Sequence, residues 1–235
     1  MNTAIICAAG NGTRLRQAIP KALVMIQRKP MFYWPLLTFG THKDINNILI
    51  LAPHAHISEF QANIKKLFEA KIRRKIIGIR AGGQERQDSI YKGITYLEHA
   101  GLESNSAVLV HNAANVFVSP TEITEVLKSI KAGYAAGIAI PSADTLREVN
   151  KKMRPTKKLD RSKIWRMQTP QGATLQVLIE AYRKAMVENF YGTDDIELVE
   201  RTGHPVRIVP GSILNFKITY PDDLIVAEAI KRLKN

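Results

Sequence analysis

The sequence predicts an α/β fold with one mostly parallel, twisted sheet and helices on both faces. Three observations lead there. The chain has 235 residues, 45% hydrophobic and 23% charged, the composition of a packed globular domain and not of a disordered or fibrous chain. Short apolar runs rich in Ile and Val recur along it. Between them lie segments with helical spacing and recognisable start signals. The length suits a single domain over residues 1–235, with room for a full core.

The runs at residues 4–8, 48–52, 76–79, 107–110 and 137–140 read as buried strands, because each is short and bounded by Gly, Pro or polar residues. Ser58 with Gln61 fits a capping box ahead of Phe60, Ile64 and Leu67. A helix carrying Ile90, Ile94 and Leu97 follows the third run. Ser119 and Glu122 form a second box, with Pro120 at the first helical position. A last helix over 221–233 has Asp222 and Asp223 in its first turn and Lys231 and Arg232 in its last, matching the helix dipole. From about 142 to 168 the pattern stops. This stretch is polar, basic and poor in buried-strand signal, and it reads as a long loop or a protruding hairpin. Ile164, Trp165 and Met167 give it apolar surface, which suits an arm that docks on another subunit.

The formal net charge is +13, from 34 Lys and Arg against 21 Asp and Glu. It is concentrated: residues 65–80 carry a net +6 and residues 147–167 a net +7. Such patches suit anionic partners, or are solvated faces with bulk counterions. Aromatic residues total only 7%, and no RNA-binding signature clusters them, so nucleic acid is not the expected partner. A membrane is not expected either. No apolar run reaches 18 residues, and no basic amphipathic helix has an aromatic face. The N-terminus lacks the features of a signal peptide. Cys7, the single cysteine, excludes an internal disulfide framework and points to a reducing cytoplasm.

Two glycine turns follow strands. Ala8-Ala9-Gly10-Asn11-Gly12-Thr13-Arg14 lets backbone approach a phosphate or base, and its N–H groups can cradle an anion. It is neither a Walker A loop nor the dinucleotide fingerprint, since no Gly-Lys-Ser/Thr follows and Leu15 stands where a third Gly is needed. Arg14 and Lys21 add two cations beside it, suited to a triphosphate, with Pro20 stiffening the approach to Lys21. The second turn, Gly82-Gly83-Gln84-Glu85-Arg86-Gln87-Asp88-Ser89, opens a helix. It can present backbone groups to a base edge with Ser89 as an added donor, or serve only as a connector. The segments His111-Asn112-Ala113-Ala114-Asn115 and Leu214-Asn215-Phe216-Lys217-Ile218-Thr219 end later strands.

Taken in order, AAGxGxR with PK, GGxxRxDS, HxAA, DT, DR, QTPQ, TDD and NxKIT resemble the 2-C-methyl-D-erythritol 4-phosphate cytidylyltransferase family over roughly residues 3–230. The resemblance implies a Rossmann-like nucleotidyltransferase fold whose arm forms a homodimer. It implies the reaction of Mg²⁺-bound CTP with methylerythritol phosphate to give pyrophosphate, a step of non-mevalonate isoprenoid synthesis. Ribitol-5-phosphate cytidylyltransferases share much of the pattern and make that polyol phosphate the alternative acceptor. By resemblance Ala8, Ala9, Gly10 and Gly12 line the CTP site, and Gly82, Gly83 and Ser89 read cytosine. Arg14, Lys21 and Lys217 act on the phosphates. Asp144, Thr145 and Arg161 lie on the arm and bind the acceptor, the Thr reaching across from the neighbouring subunit.

The chain departs from the family at two charges. Where the family has HDAARP, this chain has Asn112 in place of the Asp that binds Mg²⁺, and Asn115 in place of the Arg. An amide oxygen can coordinate a hard cation, but less strongly than a carboxylate. The resemblance therefore leaves metal affinity lowered at Asn112, and a catalytically attenuated nucleotide-binding homologue as the reading of another class.

Overall fold

The computed structural model describes residues 1–10 and 12–233. Along the chain the elements are β1 (Asn2–Cys7), β2 (Met25–Ile26), β3 (Lys29–Pro30), α1 (Tyr33–Thr41), β4 (Asn47–Ala52), α2 (Ile57–Leu67), α3 (Ala70–Arg73) and β5 (Ile76–Ala81). Then come α4 (Arg86–His99), β6 (Ala107–Asn112), α5 (Pro120–Lys131), β7 (Ala135–Pro141), β8 (Arg147–Val149), β9 (Pro155–Lys158), β10 (Trp165–Thr174), α6 (Leu175–Val187), α7 (Asp195–Glu200), β11 (Val206–Pro210) and α8 (Pro221–Leu233).

Seven strands form the central sheet in the order β11-β7-β10-β6-β1-β4-β5. The pairs of β1 with β4 and β6, β4 with β5, and β7 with β11 are parallel. Only β10 runs against its neighbours β6 and β7. The continuous apolar runs follow from this layout, because alternate residues feed two separate cores. Ala4, Ile6, Ile48, Ile50 and Leu109 pack under α1, α2 and α5 with Phe39, Phe60 and Val126. Ile5, Leu49, Leu51, Val108 and Val110 pack on the other face under α4, α6 and α7 with Ile94, Leu178 and Val199. A third cluster of Leu15, Ile26, Met31, Phe117 and Ala227 seats α8 against the β2–β3 hairpin.

The five strand expectations hold: four are extended by one to three residues, and the first shifts to Asn2–Cys7, which leaves Ala8 in the turn that follows. The box at α5 forms as read: the Glu122 carboxylate accepts from Ser119 N at 2.7 Å, and Ser119 Oγ accepts from Glu122 N at 3.2 Å. The box at α2 does not. The helix begins at Ile57 after His56, so Ser58 is already inside its first turn and cannot cap it.

The stretch 142–168 contains a protruding hairpin, β8 with β9, whose residues are all exposed. Its last residues, 165–168, are not arm, because β10 begins at Trp165 and pairs with β7 from there. The strand was not legible because it is polar and interrupted. A register shift separates Met167 from Gln171, around a cis Thr169-Pro170 bond. β11 was missed for a related reason: it is an edge strand, and of its five residues only Val209 is buried.

Candidate active site

In an open α/β sheet, ligands bind beyond the carboxyl ends of the strands where strand order reverses. Here that point is β1: the chain runs from it to β4 and β5 on one side, then crosses back to β6 on the other. Cys7 stands level with Leu51 on one side and Asn112 on the other. A cavity of about 380 Å³ opens immediately beyond them.

The turn after β1 supplies one wall through Ala8, Ala9, Gly10, Gly12 and Arg14. Asn11 lies outside the described residues. Gly12 has φ +62°, and a Cβ there would run into the Lys21 side chain, so glycine is needed for conformation and for space. Lys21 and Lys217 complete the cationic side of the cavity. Burial lowers the Lys21 pKa to about 8, with help from the nearby charges of Lys217 and Arg14. Burial, with Arg86 and Arg14, lowers that of Lys217 as well. Without an anion, these cations repel one another across the site.

The turn after β5 supplies the opposite wall with Gly83, Gln84, Glu85, Arg86 and Ser89. Gly82 is not on the lining. It lets the two turns approach, since a Cβ there would overlap Ala9 Cβ and lie 2.8 Å from Ser89 Oγ. The Ser89 hydroxyl is not a free donor as expected. It gives its proton to Glu85 O at 3.0 Å and accepts from Gly83 N at 2.8 Å, so it builds the turn and offers the cavity only an acceptor.

Asn112 and Arg86 meet on the floor. Arg86 Nε donates to Asn112 Oδ1 at 3.2 Å, and Asn112 Nδ2 donates to Asn115 Oδ1 at 3.2 Å. Asn115 Nδ2 goes on to Asn215 O at 2.8 Å, and Asn215 Nδ2 to Thr169 O at 2.8 Å. A chain of amides thus ties the end of β6 to β10 and to the segment carrying Lys217. The terminal nitrogens of Arg86 form a two-point pair with the fully buried Asp195, at 3.1 and 2.6 Å, and the Tyr182 hydroxyl donates to the same carboxylate. Burial opposes a charged guanidinium, but the Asp195 carboxylate outweighs it and holds the Arg86 pKa above its ordinary value. The Cys7 thiol is pushed up to about 12, chiefly by burial, so it is protonated at neutral pH.

The cavity fits the nucleotide reading but not a divalent cation held by the protein. Its lining has one carboxylate, Glu85, which is exposed, against the four cations Arg14, Lys21, Arg86 and Lys217. Among the described residues, no three His, Cys, Asp or Glu side chains are grouped to hold a metal ion. Mg²⁺ favours carboxylate oxygens, and the only oxygen at the expected position already faces a guanidinium.

The arm residues lie elsewhere. Thr145 and Arg161 line a second cavity with Lys158, Leu159 and Asp160, and Arg161 donates to Ala143 O at 3.0 Å. Asp144 is exposed and lines neither. Lys217 faces both the first cavity and a neighbouring one of about 400 Å³ walled by Met167, Gln168, Phe216 and Asp223.

The family model for 2-C-methyl-D-erythritol 4-phosphate cytidylyltransferase matches residues 2–233. The chain belongs to that family. It is 39% identical over 226 residues to the enzyme of that name from Syntrophus aciditrophicus, covering 96% of this chain and 94% of the relative. It is 36% identical over 231 residues to the one from Alkaliphilus metalliredigens, covering 97% and 92%. The crystal structure of the Thermus thermophilus cytidylyltransferase superposes with a TM-score of 0.76 at 28% identity, covering 99% of this chain and all of the other.

Asp195, Tyr182 and the position of Arg86 on the floor carry no signal in the sequence. Arg86 sits inside the second glycine motif and Asp195 inside the TDD motif, but their pairing across 109 positions leaves no local signal.

Proposed function

We propose that this cytidylyltransferase moves the cytidylyl group of CTP to 2-C-methyl-D-erythritol 4-phosphate and releases pyrophosphate, in the synthesis of isoprenoid precursors. The observation that carries it is the convergence of Arg14, Lys21 and Lys217 on one cavity at the carboxyl end of β1. A phosphate oxygen of the acceptor attacks the α-phosphorus in line, and catalysis rests on positioning and charge neutralisation. Backbone of the first turn holds the triphosphate, with Arg14 and Lys21 taking up charge on the leaving pyrophosphate. Lys217, on the wall shared with the neighbouring cavity, neutralises the α-phosphate against the incoming oxygen. Gly83 and the Ser89 oxygen face the base.

The acceptor phosphate is held by Arg161 and by Thr145, the Thr reaching across from a second copy's arm in a homodimer. That those residues line a cavity separate from the one holding Arg14, Lys21 and Lys217 supports this, as do the exposed Val149, Met153, Trp165 and Met167. No helix among the described residues is long and apolar enough to cross a membrane, and the proposed location is the cytoplasm.

Pyrophosphate release from CTP, measured separately with methylerythritol phosphate and with ribitol 5-phosphate, tests this. Turnover on the order of 1–10³ per second with the former is expected. Turnover with ribitol phosphate alone, or with neither, overturns it. A monomer in sedimentation at assay concentration would remove the dimer.

A further inference from the structure

We propose that Arg86 is a nucleotide-binding residue: a fixed guanidinium that supplies positive charge at the phosphates where a protein-held divalent cation is expected, so that any Mg²⁺ arrives coordinated by the nucleotide alone. The proposal rests on the CTP reading above.

Geometry supports it from three sides. First, Arg86 is held rigidly. Two of its nitrogens grip Asp195, which Tyr182 also engages, and Nε is spent on Asn112. Five N–H groups are available to a guanidinium and three are used within the protein, so two remain. The side chain is 28% exposed and lines the nucleotide cavity. A planar, oriented group with spare donors is suited to phosphate oxygens.

Second, the metal position is closed to a cation. An ion about 2.1 Å from Asn112 Oδ1 would lie no more than about 5.3 Å from Arg86 Nε, and the acid beside that guanidinium, Asp195, is already paired with it. Asn112 cannot turn its oxygen elsewhere without loss, because its amide nitrogen is engaged by Asn115, whose own nitrogen is engaged by Asn215.

Third, nearby acids are committed. Asp195 is paired with Arg86. Asp223 lies in the neighbouring cavity and accepts from Thr219 N and Tyr220 N at 2.7 and 2.9 Å. Asp88 accepts from Glu85 N at 3.0 Å in the capping box of α4.

The test uses the full chain and two readouts other than turnover. Manganese electron paramagnetic resonance on nucleotide-free protein should detect no bound Mn²⁺ at submillimolar concentration. Calorimetry should find CTP bound in EDTA within about tenfold of its affinity in Mg²⁺. Arg86→Gln alone would strand the buried Asp195 charge and could unfold the chain, so it is combined with Asp195→Asn, which removes both charges at nearly constant shape. This double variant should lose about tenfold or more of its CTP affinity in EDTA, and Mg²⁺ should restore part of the loss. Equal loss in EDTA and in Mg²⁺ means that the pair is only structural, and overturns the proposal. So does Mn²⁺ binding to the free protein that Asn112→Ala abolishes. If CTP binds under neither condition, the nucleotide reading itself fails and takes this inference with it.

Discussion

Lys21 is expected to destabilise the fold that it serves, and replacing it should show this. Its ammonium is half-buried beside Lys217 and Arg14, and its pKa falls from 10.5 to about 8. Each unit is worth ~1.4 kcal/mol, so holding it protonated costs the folded state at most roughly 3 kcal/mol. Screening through its solvent-facing part reduces this to about 2 kcal/mol. Lys21→Met keeps the stem that packs under Gly12 and removes the charge. At pH 7 the variant should melt ~4–8 °C above the parent, given the size of the chain.

The sign with pH follows from proton binding. Below pH 8 the lysine is charged in both states and the full cost applies. Between about pH 8 and 10.5 the folded protein releases the proton while the unfolded chain retains it, so parent stability rises. The advantage of the variant should therefore shrink as pH rises through this window. Calorimetric melting at pH 7 and pH 10, with CTP affinity measured alongside, provides the check. A variant no more stable than the parent at pH 7, or equally stabilised at both pH values, would refute the reasoning. CTP affinity should fall in either case.

Three further outcomes can be measured. Gly12→Ala, with φ +62° and no room beside Lys21, should weaken CTP binding by about tenfold or more and lower stability by roughly 1–2 kcal/mol, read by calorimetry and urea unfolding. Tyr182→Phe removes a buried donor from Asp195 and should cost about 1–3 kcal/mol in urea unfolding, and unchanged stability would contradict the buried network. Cys7, with its thiol pKa at about 12, should react with iodoacetamide at pH 8 about a thousandfold more slowly than a free thiol until the protein is unfolded.

The basic stretch at 65–80, which no motif accounts for, has a place in the fold. It runs from the end of α2 into β5, the edge of the sheet, with Lys65, Lys66, Lys71, Arg73, Arg74 and Arg80 exposed and none of them on the nucleotide cavity. Charge along an open edge opposes pairing with another chain. The other patch lies largely on the exposed β8–β9 hairpin and the turn after it.

Five strands of the central sheet, the starts of α4, α5 and α8 and both glycine turns were legible because they depend on neighbours in sequence: the apolar run, the cap three residues on, the small residue after a strand. Asn112 was also visible as a missing carboxylate, and Arg14 and Lys21 as cations beside the first glycine turn; Lys217, expected at a strand end, lies instead in an irregular segment after β11. What each of these side chains touches was not visible. Asn112 is satisfied by Arg86 from α4 and by Asn115, Arg86 is held by Asp195 from α7, and Ser89 spends its proton within its own turn. β10 was hidden because it is held by pairing with β6 and β7 and not by an apolar run of its own. Local order follows from backbone propensity and periodicity, which a short window of sequence contains. The charge at the site depends on which distant groups the sheet brings within hydrogen-bond reach, and that is a property of the closed fold.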